Sequence, residues 1–159
     1  MKIDILCVGK IKEKFYTQAL EEYIKRLSAW CDVSIIEVKD ENTPDGASAA
    51  EEERILDFEG ERLIQKLPKG AYVIALDIEG RSLSSPEFSD TLSDLMTHGS
   101  SRICFVIGGS LGLSKDIKKS ADLRLSFSKM TFPHQLMRVI LAEQIYRAFK
   151  IMKGEPYHK

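Results

Sequence analysis

Short apolar runs alternate along this chain with longer stretches in which apolar residues recur every three or four positions. Lys2–Val8 is a short apolar run closed by Gly9, which predicts a first strand. Tyr16, Leu20, Tyr23, Leu27 and Trp30 then fall on one helical face, with Glu21, Glu22, Lys25 and Arg26 outside it. Val33–Val38 is rich in β-branched residues and predicts a second strand. After the Asn42–Gly46 loop, Ser48 and Glu51 have the spacing of a capping box, opening a helix to about Lys66. Ala71–Ile78 is apolar nearly throughout, as a strand covered on both faces is. Glu79–Ser84 reads as a loop, and Ser85-Pro86-Glu87 as a helix start with Ser85 as the capping hydroxyl. Arg102–Ile107 is another buried strand, ended by Gly108-Gly109. Ser114 can cap a short helix to about Ser120, and Leu123–Phe127 is the last strand. Pro133 opens a final helix to about Met152, and Gly154 and Pro156 break it.

This strand–helix alternation predicts an α/β fold with a parallel sheet core and one domain over residues 1–159. The final helix is apolar on more than one side. Met137, Leu141, Ile145 and Met152 form one stripe, and Leu136, Val139, Ile140 and Phe149 extend beyond it. A helix apolar on two sides is buried on two sides. The expectation is that one face packs on the core and the other on a second subunit.

Composition narrows the class without naming an activity. A chain of 159 residues, 43% hydrophobic, can bury a core without disulfides or metal. Its net charge of -1 does not itself predict a nucleic-acid partner. The charge is uneven, however: Asp40 to Glu61 is acidic, and Lys129, Arg138, Arg147, Lys150, Lys153 and Lys159 make the last segment basic. Cys7, Cys31 and Cys104 are isolated, and no Cys/His cluster has metal-ligand spacing. Three buried thiols fit a reducing cytoplasm. The amino terminus reads as a strand rather than a signal peptide, and no apolar run spans a membrane.

Candidate chemistry concentrates between Phe105 and Lys159. Gly108-Gly109-Ser110-Leu111-Gly112 follows a strand but lacks both the dinucleotide spacing and the Gly-Lys-Ser/Thr of a phosphate loop. It is either a tight turn needing positive φ or a backbone that approaches a ligand closely. Asp77–Gly80 is open in the same way, as a turn or a pocket wall. In Phe127–His134, Ser128, Lys129 and Thr131 interleave with Phe127, Met130 and Phe132, a balance that suits a small-molecule site. The competing reading is a structured connection with Thr131 as a helix cap. His134 falls in the first turn of the last helix, where the positive helix end favours a neutral ring. Tyr157-His158-Lys159 is either a frayed tail or a group suited to stacking on a base and touching phosphate. No Ser/His/Asp set and no paired carboxylates stand in these loops, so hydrolysis is poorly supported.

The runs FVIGGSLGLS, LSFSKMTFPHQLMRVILAEQIYRAFKI and PYHK, with MKIDILCVGKIKEKFY and ALDIEGRSLSS, resemble the SPOUT methyltransferase superfamily over essentially the whole chain. The resemblance is to its small members that methylate a pseudouridine of bacterial 23S ribosomal RNA. It implies an α/β trefoil knot with the C-terminal helix threaded through, a homodimer, and S-adenosylmethionine as methyl donor. It assigns the cofactor to Leu76, to Gly108, and to Phe127, Ser128, Lys129, Met130, Thr131 and Phe132. It implies N3 of a pseudouridine in the assembled ribosome as the acceptor, with no metal and no membrane. Pseudouridine N3 carries a proton that must leave, so a base or a stabilising cation would help. His134, Arg138, Tyr157 and His158 are the candidates, His158 foremost for substrate contact. Lys10, Lys12, Lys14 and the C-terminal basic residues are the expected ribosome-contact face. The rival readings are a non-enzymatic ribosome-associated factor that keeps the cofactor fold, and a flavodoxin-type nucleotide-binding protein.

Overall fold

A computed structural model describes residues 1–158, so Lys159 of the expected polar tail lies outside the described residues. The elements follow in the order β1 (Lys2–Val8), α1 (Lys14–Leu27), β2 (Asp32–Val38), α2 (Ala49–Lys66), β3 (Tyr72–Ser82), α3 (Ser85–Thr97), β4 (Arg102–Ile107), α4 (Lys115–Ser120), β5 (Leu123–Ser126) and α5 (His134–Met152). The strands form one parallel sheet in the order β2-β1-β4-β3-β5. The expected α/β class and parallel core are therefore observed.

Alternation along the strands sorts the core into two layers. Ile3, Ile5 and Cys7 of β1 face one way with Ile103, Phe105 and Ile107 of β4, against Leu27, Phe88, Leu92, Leu141, Ile145 and Phe149 of α1, α3 and α5. Leu6 and Val8 face the other way with Cys104 and Val106, against Leu63 of α2 and Ile117 of α4. Covering both faces is what makes the two central strands nearly continuous apolar runs. All three cysteines are buried and unpaired. Burial pushes the Cys7 and Cys104 thiols up to about 12 and Cys31 up to about 11, so they are inert.

Three local expectations are corrected. Ser84, not Ser85, caps α3: its hydroxyl accepts from the Glu87 N–H at 3.3 Å, and the Glu87 carboxylate accepts from the Ser84 N–H at 2.7 Å. The strand expected to stop at Ile78 continues to Ser82. Its pairing with β5 is interrupted after Leu76 and resumes at Arg81, so Asp77–Gly80 bulges out between the two paired segments. A Cβ on Gly80 would stand 2.6 Å from the Arg124 carbonyl carbon, so only glycine lets β3 rejoin β5. The last strand ends at Ser126, and Phe127 leaves it to meet Phe88 edge-on at 6.4 Å between ring centroids. The capping box at Ser48 and Glu51, the Ser114 cap and the limits of α5 are as expected.

Helix α5 packs against α1 and α3 beneath the centre of the sheet, although β5 just before it is an edge strand. One face of α5 is fully buried through Arg138, Leu141, Ala142, Ile145, Tyr146, Ala148 and Phe149. Leu136, Ile140 and Ile151 of the other face remain partly accessible.

Candidate active site

The β3 bulge, the carboxyl ends of β4 and β5 and the first turn of α5 line a cleft of about 680 Å³. That is the size range of small-molecule sites, at the sheet end where parallel α/β folds place them. Of the residues expected to hold a cofactor, Leu76, Gly108, Phe127, Ser128, Met130, Thr131 and Phe132 line it. Lys129 does not; its side chain is exposed outside the lining. Ile107, Leu125 and Met137 are walls that sequence reasoning did not assign, whereas Asp77, Ile78 and Pro133 fall within the two stretches it left open as pocket-forming.

The glycine loop owes its composition to close approach. A Cβ on Gly108 would stand 2.2 Å from the Gly112 carbonyl oxygen, so the chain can cross itself there only without a side chain. The positive φ expected of the first glycines falls instead on Gly112, at 87°. The Gly112 N–H donates to the Gly109 carbonyl at 3.1 Å and closes the turn.

Opposite it, the β3 bulge turns out to be a pocket wall. Asp77 is buried, and its carboxylate takes Lys118 at 3.2 Å, Arg124 at 3.4 Å and the Glu79 N–H at 3.3 Å. Those bonds tie the bulge to α4, to β5 and to its own backbone. The sequence signal for this wall is the Asp77–Gly80 stretch directly after an apolar central run, which left turn and pocket wall both open.

The third loop is held by its own hydroxyls. Ser126 Oγ donates to the Ser128 carbonyl at 3.2 Å, and the Met130 N–H donates to Ser128 Oγ at 2.9 Å. These bonds turn Met130 and Phe132 toward the cleft mouth, where they stand 74% and 36% exposed. Leaving two large apolar side chains in water costs free energy that a bound flat, apolar group would recover. Thr131 does not cap α5; the N-cap position is Pro133 and carries no side-chain cap bond.

The four residues expected to do chemistry are not brought together in one chain. His134 lines the cleft. Burial lowers its pKa first and the neighbouring Arg138 guanidinium second, against a smaller opposing effect of Asp40, so the ring is neutral at pH 7. Arg138 is fully buried and reaches neither cleft nor solvent. Its guanidinium donates to Glu37 Oε1 at 2.7 Å, to the Val8 carbonyl at 3.0 Å and to the Gly9 carbonyl at 2.8 Å.

Tyr157 and His158 fold back along α5. The Tyr157 hydroxyl donates to Glu143 at 3.1 Å, its ring meets Tyr146 edge-on at 4.9 Å, and Arg147 lies over it at 4.7 Å. Burial and the Glu143 carboxylate push its phenol up to about 12. His158 Nδ1 lies 3.3 Å from an Arg147 nitrogen. Arg147 is thirteen residues beyond His134, roughly 20 Å along a helix axis. The tail is thus docked rather than frayed, at the end of α5 away from its own cleft.

A mostly apolar cleft formed by the β3 bulge, the glycine loop after β4 and the loop after β5, without a phosphate motif, marks an α/β domain shaped for a small molecule. A family model described as "Predicted SPOUT methyltransferase" matches residues 1–158, and the chain belongs to that family of methyltransferases. It is 53% identical over its full length and the whole of the partner sequence to "Ribosomal RNA large subunit methyltransferase H" of Carboxydothermus hydrogenoformans. It is 56% identical, again over both full lengths, to a protein of the same name from Clostridium botulinum strain Kyoto. Among solved structures it resembles "a probable methylase family protein from Haemophilus influenzae Rd KW20", with a TM-score of 0.56 and 11% identity. That match covers 99% of this chain and 70% of the other, and it bears on the fold alone.

Proposed function

We propose that this protein is a ribosomal RNA methyltransferase that uses S-adenosylmethionine to methylate N3 of a pseudouridine, position 1915 of 23S ribosomal RNA, in the assembled ribosome. The observation that carries the reading is the cleft. Seven of the eight residues the family resemblance assigns to the cofactor come from strand β3 and the loops after β4 and β5 and converge on one lining. The cleft's size, its exposed Met130 and Phe132 and the close backbone approach at Gly108 suit a ligand with a flat base and a polar chain. Leu76, Gly108 and Phe127–Phe132 would hold it, and S-adenosylmethionine would supply an electrophilic methyl group.

The chain's own groups take the remaining tasks. His134, neutral at the cleft wall, is poised to accept a proton from the acceptor nitrogen. Arg138 is a positioning residue: it ties α5, and with it His134, to the ends of β1 and β2. Tyr157 is a donor and a stacking surface rather than a base, because its phenol holds its proton to about 12. His158 contacts the substrate from a second subunit. Support for this is the tail's distance from its own cleft and the accessible apolar face of α5 through Leu136, Ile140 and Ile151, which a second copy would cover. The same reading has α5 threaded through the family's trefoil knot, which accords with its position under the sheet centre immediately after an edge strand. The protein acts where ribosomes are, in the cytoplasm. Among the described residues no helix is long and apolar enough to cross a membrane, and no group of three or more His, Cys, Asp or Glu could hold a metal ion.

The test is transfer of labelled methyl from S-adenosylmethionine to ribosomes lacking the modification. Incorporation into 23S ribosomal RNA at one pseudouridine is expected. Cofactor binding by calorimetry without any incorporation would turn the reading toward a non-enzymatic ribosome-associated factor. The two-subunit site is tested by mixing. A Gly108→Arg chain and a His158→Ala chain, each inactive alone, should regain activity when co-folded.

A further inference from the structure

One exposed strip beside the cleft has no part in the chemistry above. The β1–α1 connection and the first residue of α1 carry Lys10, Lys12 and Lys14, all exposed, against one acid, Glu13. Phe15 follows in the first turn of α1 and stands 60% exposed. Among the described residues only Met130, in the cleft mouth, is a more exposed large apolar side chain. Phe15 is not loose. Its ring lies 4.3 Å from that of Tyr16, tilted by 57°, so a side chain in water is braced on one side and open on the other.

The strip is anchored to the cleft. The Lys12 backbone N–H donates to Gln135 Oε1 at 2.9 Å. Gln135 follows His134, which lines the cleft. Arg138, one helical turn on, holds the Gly9 carbonyl at 2.8 Å. Gly9, just before the lysine segment, and Lys12, in its middle, are thus both fixed to the first turns of α5, which also carry His134 of the cleft lining.

Three lysines alone make a solvated patch. An aromatic ring braced open among them is a different object, because every base has a face that stacks on it and every phosphate a charge that the lysines neutralise. We infer that Lys10, Lys12, Lys14 and Phe15 form a single-stranded RNA-binding strip, in which Phe15 stacks on a base flanking the target nucleotide. This rests on the reading of the substrate as RNA. It gives the expected lysine contact face an aromatic platform at Phe15, and so a sequence-tolerant grip for a target strand that a nearly neutral protein cannot hold by net charge.

Ribosome titrations of methyl transfer and filter binding to the same ribosomes test it together. Phe15→Ala should raise KM and the ribosome Kd about tenfold, within the range of one lost base stack. Its kcat and S-adenosylmethionine affinity should not change. Phe15→Trp should keep wild-type values, and Phe15→Leu should behave as Phe15→Ala. Changing Lys10, Lys12 and Lys14 together to Gln should lower the slope of log Kd against log salt by about 2.

If Phe15→Leu restores affinity, the ring docks on an apolar protein surface and the inference fails. If Phe15→Ala lowers the sedimenting mass, Phe15 belongs to a subunit interface and the inference fails. An unchanged KM and Kd for Phe15→Ala would sink it as well. Should wild type bind ribosomes through Phe15 yet transfer no methyl, the strip stands and the methyltransferase reading falls.

Discussion

Arg138 Nη1 lies 2.7 Å from Glu37 Oε1, an ion pair that joins the second turn of α5 to the end of β2. The other terminal nitrogen takes two backbone carbonyls at the end of β1, Val8 and Gly9. The guanidinium is fully buried, while Glu37 keeps access to solvent. Five donors in a planar fork can serve these acceptors at once, which a lysine cannot. Arg138→Ala would leave two buried carbonyls and a carboxylate without their partner. It should cost about 3–5 kcal/mol in urea denaturation. Arg138→Lys should recover little of this, since one ammonium cannot span the same acceptors. A loss below 1 kcal/mol for either would show that α5 is held by its apolar face alone.

Gly108→Ala places a methyl group against the Gly112 carbonyl oxygen, and the atom it meets is backbone. The loop must open to accept it, and the cleft wall moves with it. S-adenosylmethionine affinity by calorimetry should fall at least tenfold, while the unfolding free energy from urea denaturation falls by only about 1–2 kcal/mol, the usual cost of local overpacking. Gly112→Ala has nothing within 4 Å to strike and is strained only by its φ of +87°. It should cost about 1 kcal/mol and leave more of the affinity intact.

Most of this architecture can be read from short-range pattern. Strand–helix alternation, the Ser48–Glu51 box and the Pro133 start of α5 depend on neighbours within one turn. The parts that cannot be read are those fixed across the sheet. Glu79-Gly80-Arg81 reads as loop because it is polar. It is strand because Arg81 finds Leu125 as a partner. Arg138 reads as a candidate for the chemistry and is instead buried away from the cleft, because its acceptors come from β1 and β2, a hundred or more residues upstream. The cleft loops are legible largely through family resemblance, whereas the docking of Tyr157 on Glu143 and Tyr146 removes the frayed-tail alternative at that residue.

His134 should set the acid limb of the activity profile. Burial and Arg138 lower its pKa below the ordinary value of 6.5, so the neutral ring persists to more acid pH than a free histidine would. As pH falls through the lowered value the ring takes up a proton and can no longer accept one. Methyl transfer under saturating substrates should therefore drop below pH 6.5, and His134→Gln should be slow with that limb abolished. Stability carries the same sign. Folding opposes protonation of this ring, so acidification from about pH 6.5 costs stability that the Gln variant keeps. A profile for His134→Gln parallel to wild type would assign the limb to another group.

Glu59 makes the opposite prediction from the other face of the sheet. It is 4% exposed, and Oε1 accepts the Glu41 N–H at 2.9 Å while Oε2 has no partner. Burial raises its pKa most. The Glu41 N–H and Arg62 oppose that, and the nearby Asp40 and Glu41 carboxylates add to it. A carboxyl whose folded pKa is raised favours the folded state while protonated, so stability is highest below its unfolded value near 4.5. It declines as pH climbs from there through the folded value. Glu59→Gln keeps an acceptor for the Glu41 N–H and removes the ionisation. The difference in urea midpoint between variant and wild type should be near zero in mild acid and grow in favour of the variant as pH rises to neutrality. A constant difference across that range would mean that Glu59 is already ionised in the folded protein. Its buried Oε2, beside the position a Gly109 Cβ would take, would then bear its charge unpaired under the glycine loop.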